Sequence, residues 1–336
     1  MVNKCRRREK TQSNPLLTLS HAIFSPMKLT IPKILHAIRH PAKVQNYYVR
    51  GVDFFPPQNF RKHFRLRFYL VELPARWIFK GVFPQHWDGN TFKTFFDEDI
   101  FIDKYFHSLD FLPKTFVDIG AGDGIDMSNT FRLAHRGLVG ISIEGNPVRF
   151  AQLSLTYEKF PNVQLVRKYV SSSSVSDLIT SSGLPKNFDV LNLDIDSFDY
   201  HVLESLLGFF EPKLMVIEWN RSFPPNIFFT VNNDPTIRWD SQSALFQGAS
   251  LLAFYELLTN FNYKIVAVQG AAIFASPVDS SPAYPSLTAE DAWSQYLKGP
   301  GKWINTNLDY LELNKEDLVK KINSEMIAFS GKYQLR

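Results

Sequence analysis

The sequence FVDIGAGDG, at residues 116–124, decides the fold of this 336-residue chain. It leads from apolar and β-branched residues directly into three glycines, and helical periodicity follows from about Asp126 to His135. Glycine lets the backbone turn sharply and pass close to a ligand, and the start of a helix offers free N–H groups. The stretch therefore predicts a strand, a ligand-binding loop and a helix in succession.

Strand-like and helix-like segments continue to alternate beyond this unit. Further strands are predicted at 138–143, 163–167, 190–195, 214–218, 263–268 and 271–275, and helices at 147–159, 174–181, 199–209 and 248–260. This order predicts an α/β, doubly wound, Rossmann-like sheet of seven mostly parallel strands. The last two strands lie too close in sequence for a crossover helix, so we expect an antiparallel terminal hairpin.

The flanking segments differ in composition from this central part. Residues 1–95 form a basic, aromatic N-terminal extension, residues 96–279 the predicted α/β domain, and residues 280–336 a tail with helices expected at 289–297 and 315–329. Residues 1–26 show little periodicity, which leaves both Met1 and Met27 open as the start of translation.

Charge is divided unevenly along the chain. Residues 1–80 hold 16 Lys and Arg against three acidic residues, whereas the remainder holds 21 basic and 30 acidic residues. The apolar face of a short basic helix in this arm is formed by Ile31, Ile34, Leu35 and Ile38. We expect residues 27–80 to contact an anionic membrane surface; single-stranded nucleic acid and packing against the sheet are the alternatives.

The composition excludes several classes of protein. With 45% hydrophobic and 21% charged residues, the chain is globular over most of its length. Cys5 is the only cysteine, which excludes internal disulfides and paired-thiolate zinc sites. No run approaches the roughly 20 apolar residues of a membrane span, and residues 16–19 are too short an apolar run for a secretion signal. We expect a cytoplasmic protein, with the arm as a peripheral membrane contact.

A cofactor site is predicted around the glycine loop. The loop has the spacing G-x-G-x-G behind an acid, whereas dinucleotide sites use G-x-G-x-x-G. This spacing favours S-adenosylmethionine, because a sulfonium cofactor has no pyrophosphate to bind. Glu144 ends the second predicted strand, where it can accept hydrogen bonds from both ribose hydroxyls. The predicted cofactor-binding residues are Asp118, Gly120, Gly122, Gly124, Glu144 and Asp194. A tight turn without a ligand is the alternative.

Acidic residues also follow two later strands. Asp194 and Asp196 end the fourth strand, and residues two apart in a strand face the same way, here toward the crevice where ligands bind α/β sheets. Glu218 and Asn220 repeat this spacing at the fifth strand. One interpretation is a Mg²⁺ or Mn²⁺ ion held by all four side chains, because hard cations prefer oxygen ligands.

Two other interpretations need no metal. In one, Asp194 contacts the methionine end of the cofactor while Asp196 or His201 acts as the general base. In the other, the carboxylates cap the helix at 199–209, since aspartate is a favourable N-cap residue.

These motifs together resemble the class I S-adenosylmethionine-dependent methyltransferases, and within them the FkbM-like family. The resemblance rests on FVDIGAGDG, ISIEGNP, LNLDIDSFDYHVLESLL and LMVIEWN, with FFDEDIFIDKYF before them and QGASLLAFYELLTNFNYKIVAV after them. It covers about residues 96–279. It implies a seven-stranded sheet with a reversed last strand and, frequently, O-methylation of a hydroxyl.

We therefore expect an O-methyltransferase acting on a glycan, a lipid-linked molecule or a small-molecule secondary metabolite. A non-enzymatic binding module of the same fold, using its arm on membrane or nucleic acid, is one alternative. An NAD(P)-dependent oxidoreductase is another, which the glycine spacing disfavours.

Overall fold

A computed structural model describes residues 94, 97–234, 237, 245–280, 282–299 and 307–336. The helix expected from Ile31 to Ile38, and the membrane-contacting arm of which it is part, lie outside these described residues. No helix among the described residues is both long enough and apolar enough to cross a bilayer.

The described residues form one large sheet and one small one. The strands are β1 (Thr115–Ile119), β2 (Val139–Ile143), β3 (Val163–Val166), β4 (Val190–Leu193), β5 (Leu214–Glu218), β6 (Phe229–Val231), β7 (Tyr263–Gln269), β8 (Ala272–Pro277) and β9 (Tyr333–Leu335). The large sheet has the order β3-β2-β1-β4-β5-β8-β7. Strands β1 to β5 are parallel, whereas β8 pairs antiparallel with both β5 and β7. The doubly wound fold with an antiparallel terminal hairpin is thus confirmed.

The helices are α1 (Glu98–Ser108), α2 (Phe131–His135), α3 (Pro147–Thr156), α4 (Val175–Ser181), α5 (Asp199–Leu207), α6 (Leu251–Asn260), α7 (Ala289–Lys298) and α8 (Lys315–Glu325). Two 3₁₀ turns cover Leu308–Glu312 and Ile327–Phe329. The tail helix expected at 315–329 therefore ends earlier than predicted and continues as a 3₁₀ turn.

The helix predicted at 126–135 is much shorter in the structure. Asp123 Oδ1 accepts hydrogen bonds from the N–H groups of Ile125 and Asp126, at 3.0 and 2.9 Å. Ser128 Oγ accepts another from Phe131 N–H at 3.0 Å. Such side-chain bonds compete with helical ones, so regular helix begins only at Phe131.

Side chains of the central strands alternate between two apolar cores. Val117 and Ile119 of β1 belong to a core that also takes side chains from α4, α5, α6 and α7. Phe116, between α1, α2 and α3 on the other side, belongs to the second core. This alternation is the period-two pattern of a strand buried on both faces.

A third apolar cluster joins the segment after β5 to the end of the chain. It combines Phe223, Ile227, Phe229 and Phe246 with Tyr310, Leu318, Ile322 and Met326. Within it β6 pairs antiparallel with β9. We call the described residues of 219–250 together with 307–336 the accessory module. The sequence did not predict this module, because its strands have three residues each and pair across about 100 positions.

The ends of β1 and β4 meet at a glycine. Asp194 N–H donates to Ile119 O at 2.9 Å, so the pairing continues just past β4. Gly120 has a φ of +91°, and a Cβ there would lie 1.6 Å from the carbonyl oxygen of Asp194. The position therefore needs glycine both for its left-handed backbone and for the missing side chain.

The first prediction compares Gly120→Ala with Gly137→Ala. Gly137 has a similar φ of +85°, but no atom lies within 4 Å of a Cβ built there. Both variants carry the left-handed penalty of about 1 kcal/mol, and only Gly120→Ala adds a main-chain clash, for a total of about 3 kcal/mol or more. Urea unfolding followed by circular dichroism measures both losses. Equal losses would contradict the close contact with Asp194.

The second prediction concerns the packing of the accessory module. Ile322 is fully buried, whereas Ile327, five residues later, is 72% exposed. Ile322→Ala should lower the free energy of unfolding by about 3 kcal/mol because it leaves a cavity. The matched control Ile327→Ala should cost less than about 0.5 kcal/mol. Similar small losses in urea unfolding would show that α8 does not pack as described.

Candidate active site

The glycines of the loop after β1 have different surroundings. A Cβ at Gly124 would lie 2.5 Å from the ring of Tyr157 and 2.6 Å from Leu153, so this glycine lets the loop pack against α3. A Cβ at Gly122 would meet nothing within 4 Å. The main chain at Gly122 thus borders open space, as close approach of a ligand requires.

Glu144 connects the glycine loop to the loop after β2. One carboxylate oxygen accepts a hydrogen bond from Gly122 N–H at 2.9 Å, and the other from Asn146 N–H at 2.5 Å. Loss of hydration raises the pKa of Glu144, while the two N–H donors act in the opposite direction. Each oxygen has a lone pair left, so the carboxylate can still accept hydrogen bonds from ribose hydroxyls.

An exposed aromatic ring lies beside Glu144. Tyr169 is 73% exposed, and a Cβ at Gly145 would lie 2.2 Å from its ring. The ring therefore rests directly against the main chain at Gly145. Tyr169 was not predicted to belong to the site. Its position just after the carboxyl end of β3, where ligands bind such sheets, would have indicated it.

Asp118 lies in the interior, 1% exposed. Its carboxylate accepts hydrogen bonds from Thr130 Oγ1 at 2.6 Å and from Asn192 Nδ2 at 2.8 Å. Burial raises the pKa of Asp118 to about 6, although both hydrogen bonds oppose this. Asp118 thereby holds the loop after Gly124 against β4. Its direct contact with a cofactor remains a prediction. This network was not predicted from the sequence. Asn192, a polar residue within an otherwise apolar strand, would have indicated it.

Three carboxylates meet where β4 and β5 end. One oxygen each of Asp194, Asp196 and Glu218 lies within 4.8 Å of the other two. The proximity follows from β4 and β5 being parallel neighbours. We call these residues the acidic trio.

The surrounding protein removes part of the hydration of the acidic trio, although solvent still reaches two of its residues. Solvent reaches the side chains of Asp194 and Asp196, whereas Glu218 is partly buried. Loss of hydration in this recess, followed by the charge of Asp196, raises the pKa of Asp194 to about 7. The same causes, burial first and then the charges of both aspartates, raise the pKa of Glu218 well above its usual range. Asp194 and Glu218 therefore keep their protons to a higher pH than free carboxyls do.

The loop that carries Asp196 is held in place by the carboxylate of Asp199. Asp199 is 1% exposed, and its carboxylate accepts hydrogen bonds from Ile195 N–H at 2.8 Å and from Ser197 N–H at 3.0 Å. Asp196 between them has a φ of +60°, a left-handed conformation that is strained for aspartate. Phe198 is the N-cap of α5, and no side chain caps the helix. The interpretation of Asp196 as a helix cap is therefore wrong.

The described hydrogen bonds of Asn220 are to main-chain groups and not to the acidic trio. Its Nδ2 donates to the carbonyl oxygens of Leu245 and Gln247, at 3.0 and 2.9 Å, and its Oδ1 accepts from Ser222 N–H at 3.0 Å. These bonds hold the two ends of the segment between β5 and α6 together. The predicted role of Asn220 as a metal ligand remains untested.

His201 faces the accessory module. Its Nε2 lies 2.9 Å from the carbonyl oxygen of Val231, and its Nδ1 lies 3.8 Å from Glu204 Oε2. Since a carbonyl only accepts, Nε2 carries the proton in this contact. The contact ties α5 to β6. The predicted role of His201 as a general base remains untested.

A cation from α3 balances part of this acidic edge. The positive charge of Arg149 lowers the pKa values of both Glu144 and Asp196, against the raising effect of burial. Arg149 was not predicted to belong to the site. Helical periodicity places it on α3 but does not show that its charge acts on Glu144 and Asp196, which lie in two different loops.

Comparisons with known proteins find similar solved structures at low sequence identity. No protein-family model and no curated protein matches this sequence. Among solved structures, the N-terminal domain of EvdMO1 with SAH bound is 12% identical, covers 54% of this chain and 79% of its own, and has a TM-score of 0.34. An S-adenosylmethionine-dependent methyltransferase from Clostridium acetobutylicum ATCC 824 is 11% identical, with 60% and 96% covered and a TM-score of 0.34.

The CurJ carbon methyltransferase is likewise 11% identical, with 53% of both chains covered and a TM-score of 0.34. Similarity at this level carries no inference about family or activity.

Proposed function

We propose that this chain is an S-adenosylmethionine-dependent methyltransferase that methylates a hydroxyl oxygen, on a glycan, a lipid-linked molecule or a small secondary metabolite. The observation that carries the proposal is the open main chain at Gly122, hydrogen-bonded to Glu144, at the same sheet edge as the acidic trio. This edge, at the carboxyl ends of the strands, is where open α/β sheets bind their ligands.

The residues at this edge suit the separate parts of the cofactor. The ribose hydroxyls would donate to Glu144, and the adenine would stack on the exposed ring of Tyr169. The methionine part would cross Gly122 toward Asp194, whose carboxylate attracts its ammonium group. The cofactor supplies a methyl group on a positively charged sulfur.

The charge of the edge favours a sulfonium cofactor over a dinucleotide. A pyrophosphate would bring two negative charges toward Glu144 and Asp194, where like charges repel. The sulfonium and ammonium groups bring positive charge instead. The charge of the edge and the glycine spacing thus both disfavour a nicotinamide-dependent oxidoreductase.

The acidic trio accounts for the proton that the acceptor hydroxyl loses. The cofactor would supply the methyl group to the acceptor oxygen, its sulfur leaving as the neutral thioether, and the hydroxyl proton would pass to a carboxylate. Asp196 is our candidate for this general base, because solvent reaches it and its strained backbone is fixed by Asp199. Positioning of the acceptor in line with the methyl group supplies most of the remaining rate enhancement.

A divalent cation at the acidic trio is the second candidate. Three carboxylate oxygens within 4.8 Å of one another repel each other unless protons or a cation neutralise them. Mg²⁺ or Mn²⁺ would be held by Asp194, Asp196 and Glu218, with water completing the coordination. It would lower the pKa of a bound acceptor hydroxyl.

The third prediction tests the cofactor. Glu144→Ala should weaken binding of S-adenosylmethionine by about 2 to 3 kcal/mol, because the ribose hydroxyls lose their acceptor while staying buried. Calorimetry with S-adenosylmethionine and S-adenosylhomocysteine measures the loss, with NAD expected not to bind. Exposed Glu312 offers a control, Glu312→Ala, with unchanged affinity. Unchanged affinity in Glu144→Ala as well would remove the ribose assignment.

The fourth prediction tests the cation. We expect wild-type protein to bind Mn²⁺, seen as a loss of the free-ion signal in electron paramagnetic resonance, and EDTA to reverse it. Asp196→Asn should weaken this binding about tenfold or more because it removes a charged ligand. Exposed Asp279 provides the control Asp279→Asn, which should bind as wild type does.

Absence of Mn²⁺ binding to the wild type would leave the metal-free mechanism. In that mechanism Asp196→Asn lowers turnover by roughly 10² to 10⁴ through loss of the general base, and EDTA has no effect. The membrane contact expected of residues 27–80 is a separate proposal that neither experiment addresses.

A further inference from the structure

One arginine just after β5 has no acidic partner among the described residues. Arg221 follows Glu218 by three residues, is partly buried, and has an Nε that no solvent reaches and no described residue hydrogen-bonds. Two other partly buried cations do have acidic partners: Lys213 pairs with Asp189, and Arg132 with Asp99. A buried guanidinium N–H without an acceptor is costly, which points to a ligand that supplies one.

A second unsatisfied donor lies two residues away. Trp219 is 2% exposed, and its indole N–H has no acceptor among the described residues. The ring itself is fixed by Trp293 and Tyr296, whose centroids lie 5.8 and 5.2 Å from it. An indole N–H only donates. Two donors without acceptors in one short segment indicate a ligand rich in acceptor oxygens.

The acidic trio does not use the charge of Arg221. Arg149 is the cation that lowers the pKa of Asp196. Three residues of extended chain span about 10 Å, which sets an upper limit on the separation of Glu218 and Arg221 along the main chain. A single ligand that reached both places would put a hydroxyl at the trio and an anionic group at Arg221.

We propose that Arg221, together with the Trp219 N–H, binds an oxyanion of the methyl acceptor, a phosphate or a carboxylate. This inference rests on the proposed function, because it assigns a substrate class to the same site. A guanidinium presents pairs of N–H groups that match two oxygens of such an anion. The acceptor is then an anionic molecule that also carries a hydroxyl.

The test uses the full chain and two probe anions, inorganic phosphate and acetate, titrated separately in a calorimeter at constant ionic strength. We expect one of them to bind the wild type. Arg221→Gln should weaken that binding roughly tenfold or more, and Arg221→Lys should weaken it less, because lysine keeps the charge and loses the paired geometry. Arg167→Gln, the same charge change at an exposed position after β3, should bind as wild type does. Phosphate or acetate as the tighter probe identifies the kind of oxyanion.

A second measurement needs no variant. Phenylglyoxal modifies arginine side chains, and mass spectrometry locates the label; the bound anion should protect Arg221 and leave Arg167 unprotected. Equal affinities in wild type and Arg221→Gln, no binding of either anion, or labelling of Arg221 that the anion does not change would each overturn the proposal.

Titration with S-adenosylmethionine separates this proposal from the proposed function. Arg221→Gln should keep wild-type affinity for the cofactor, because Arg221 contacts the acceptor. Anion binding through Arg221 in a protein that does not bind S-adenosylmethionine would overturn the methyltransferase proposal and leave an anion site.

Discussion

The close passage of Gly120 over the main chain of Asp194 is the constraint on which the site depends. Because no side chain separates them, the loop after β1 lies directly against the loop after β4. Ile143 O accepts hydrogen bonds from the N–H groups of Gly120 and Ala121, at 2.9 and 3.1 Å, so β2 is held to the same point. Three strand ends are thereby fixed together, and Glu144 and Asp194 lie at the same edge of the sheet as a consequence.

This geometry concentrates acids at a cost in stability. Burial raises the pKa values of Asp118, Glu144, Asp194 and Glu218, so the folded state binds protons more tightly there than the unfolded state does. Stability from these groups is fully present below their unfolded values, near pH 4, and is lost as the pH rises through their folded values. At neutral pH the edge is therefore strained electrostatically. A cationic ligand, whether a sulfonium or a metal ion, relieves that strain on binding.

The sequence predicted the parts of the fold that local pattern determines. Strand β5 was predicted to the residue, because an apolar run between polar residues defines it, and the meeting of Asp194 with Glu218 follows from two parallel neighbours. The start of α2 was mispredicted because the side chains of Asp123 and Ser128 capture amides that a helix would use. Strands β6 and β9 have no periodicity to detect, and their pairing is non-local.

That non-local pairing explains why the acceptor is harder to infer than the cofactor. The accessory module begins at Trp219, directly after Glu218, and His201 and Phe198 connect α5 and its loop to it. Phe198 packs against both the main core and the cluster of the module, two residues after Asp196. On the proposed function, the part of the sheet edge that would receive the acceptor is built from residues between about 198 and 336, which are far apart in the sequence. A change in the packing of the module would therefore act on the loop that carries Asp196, through Phe198, before it reached the glycine loop and Glu144.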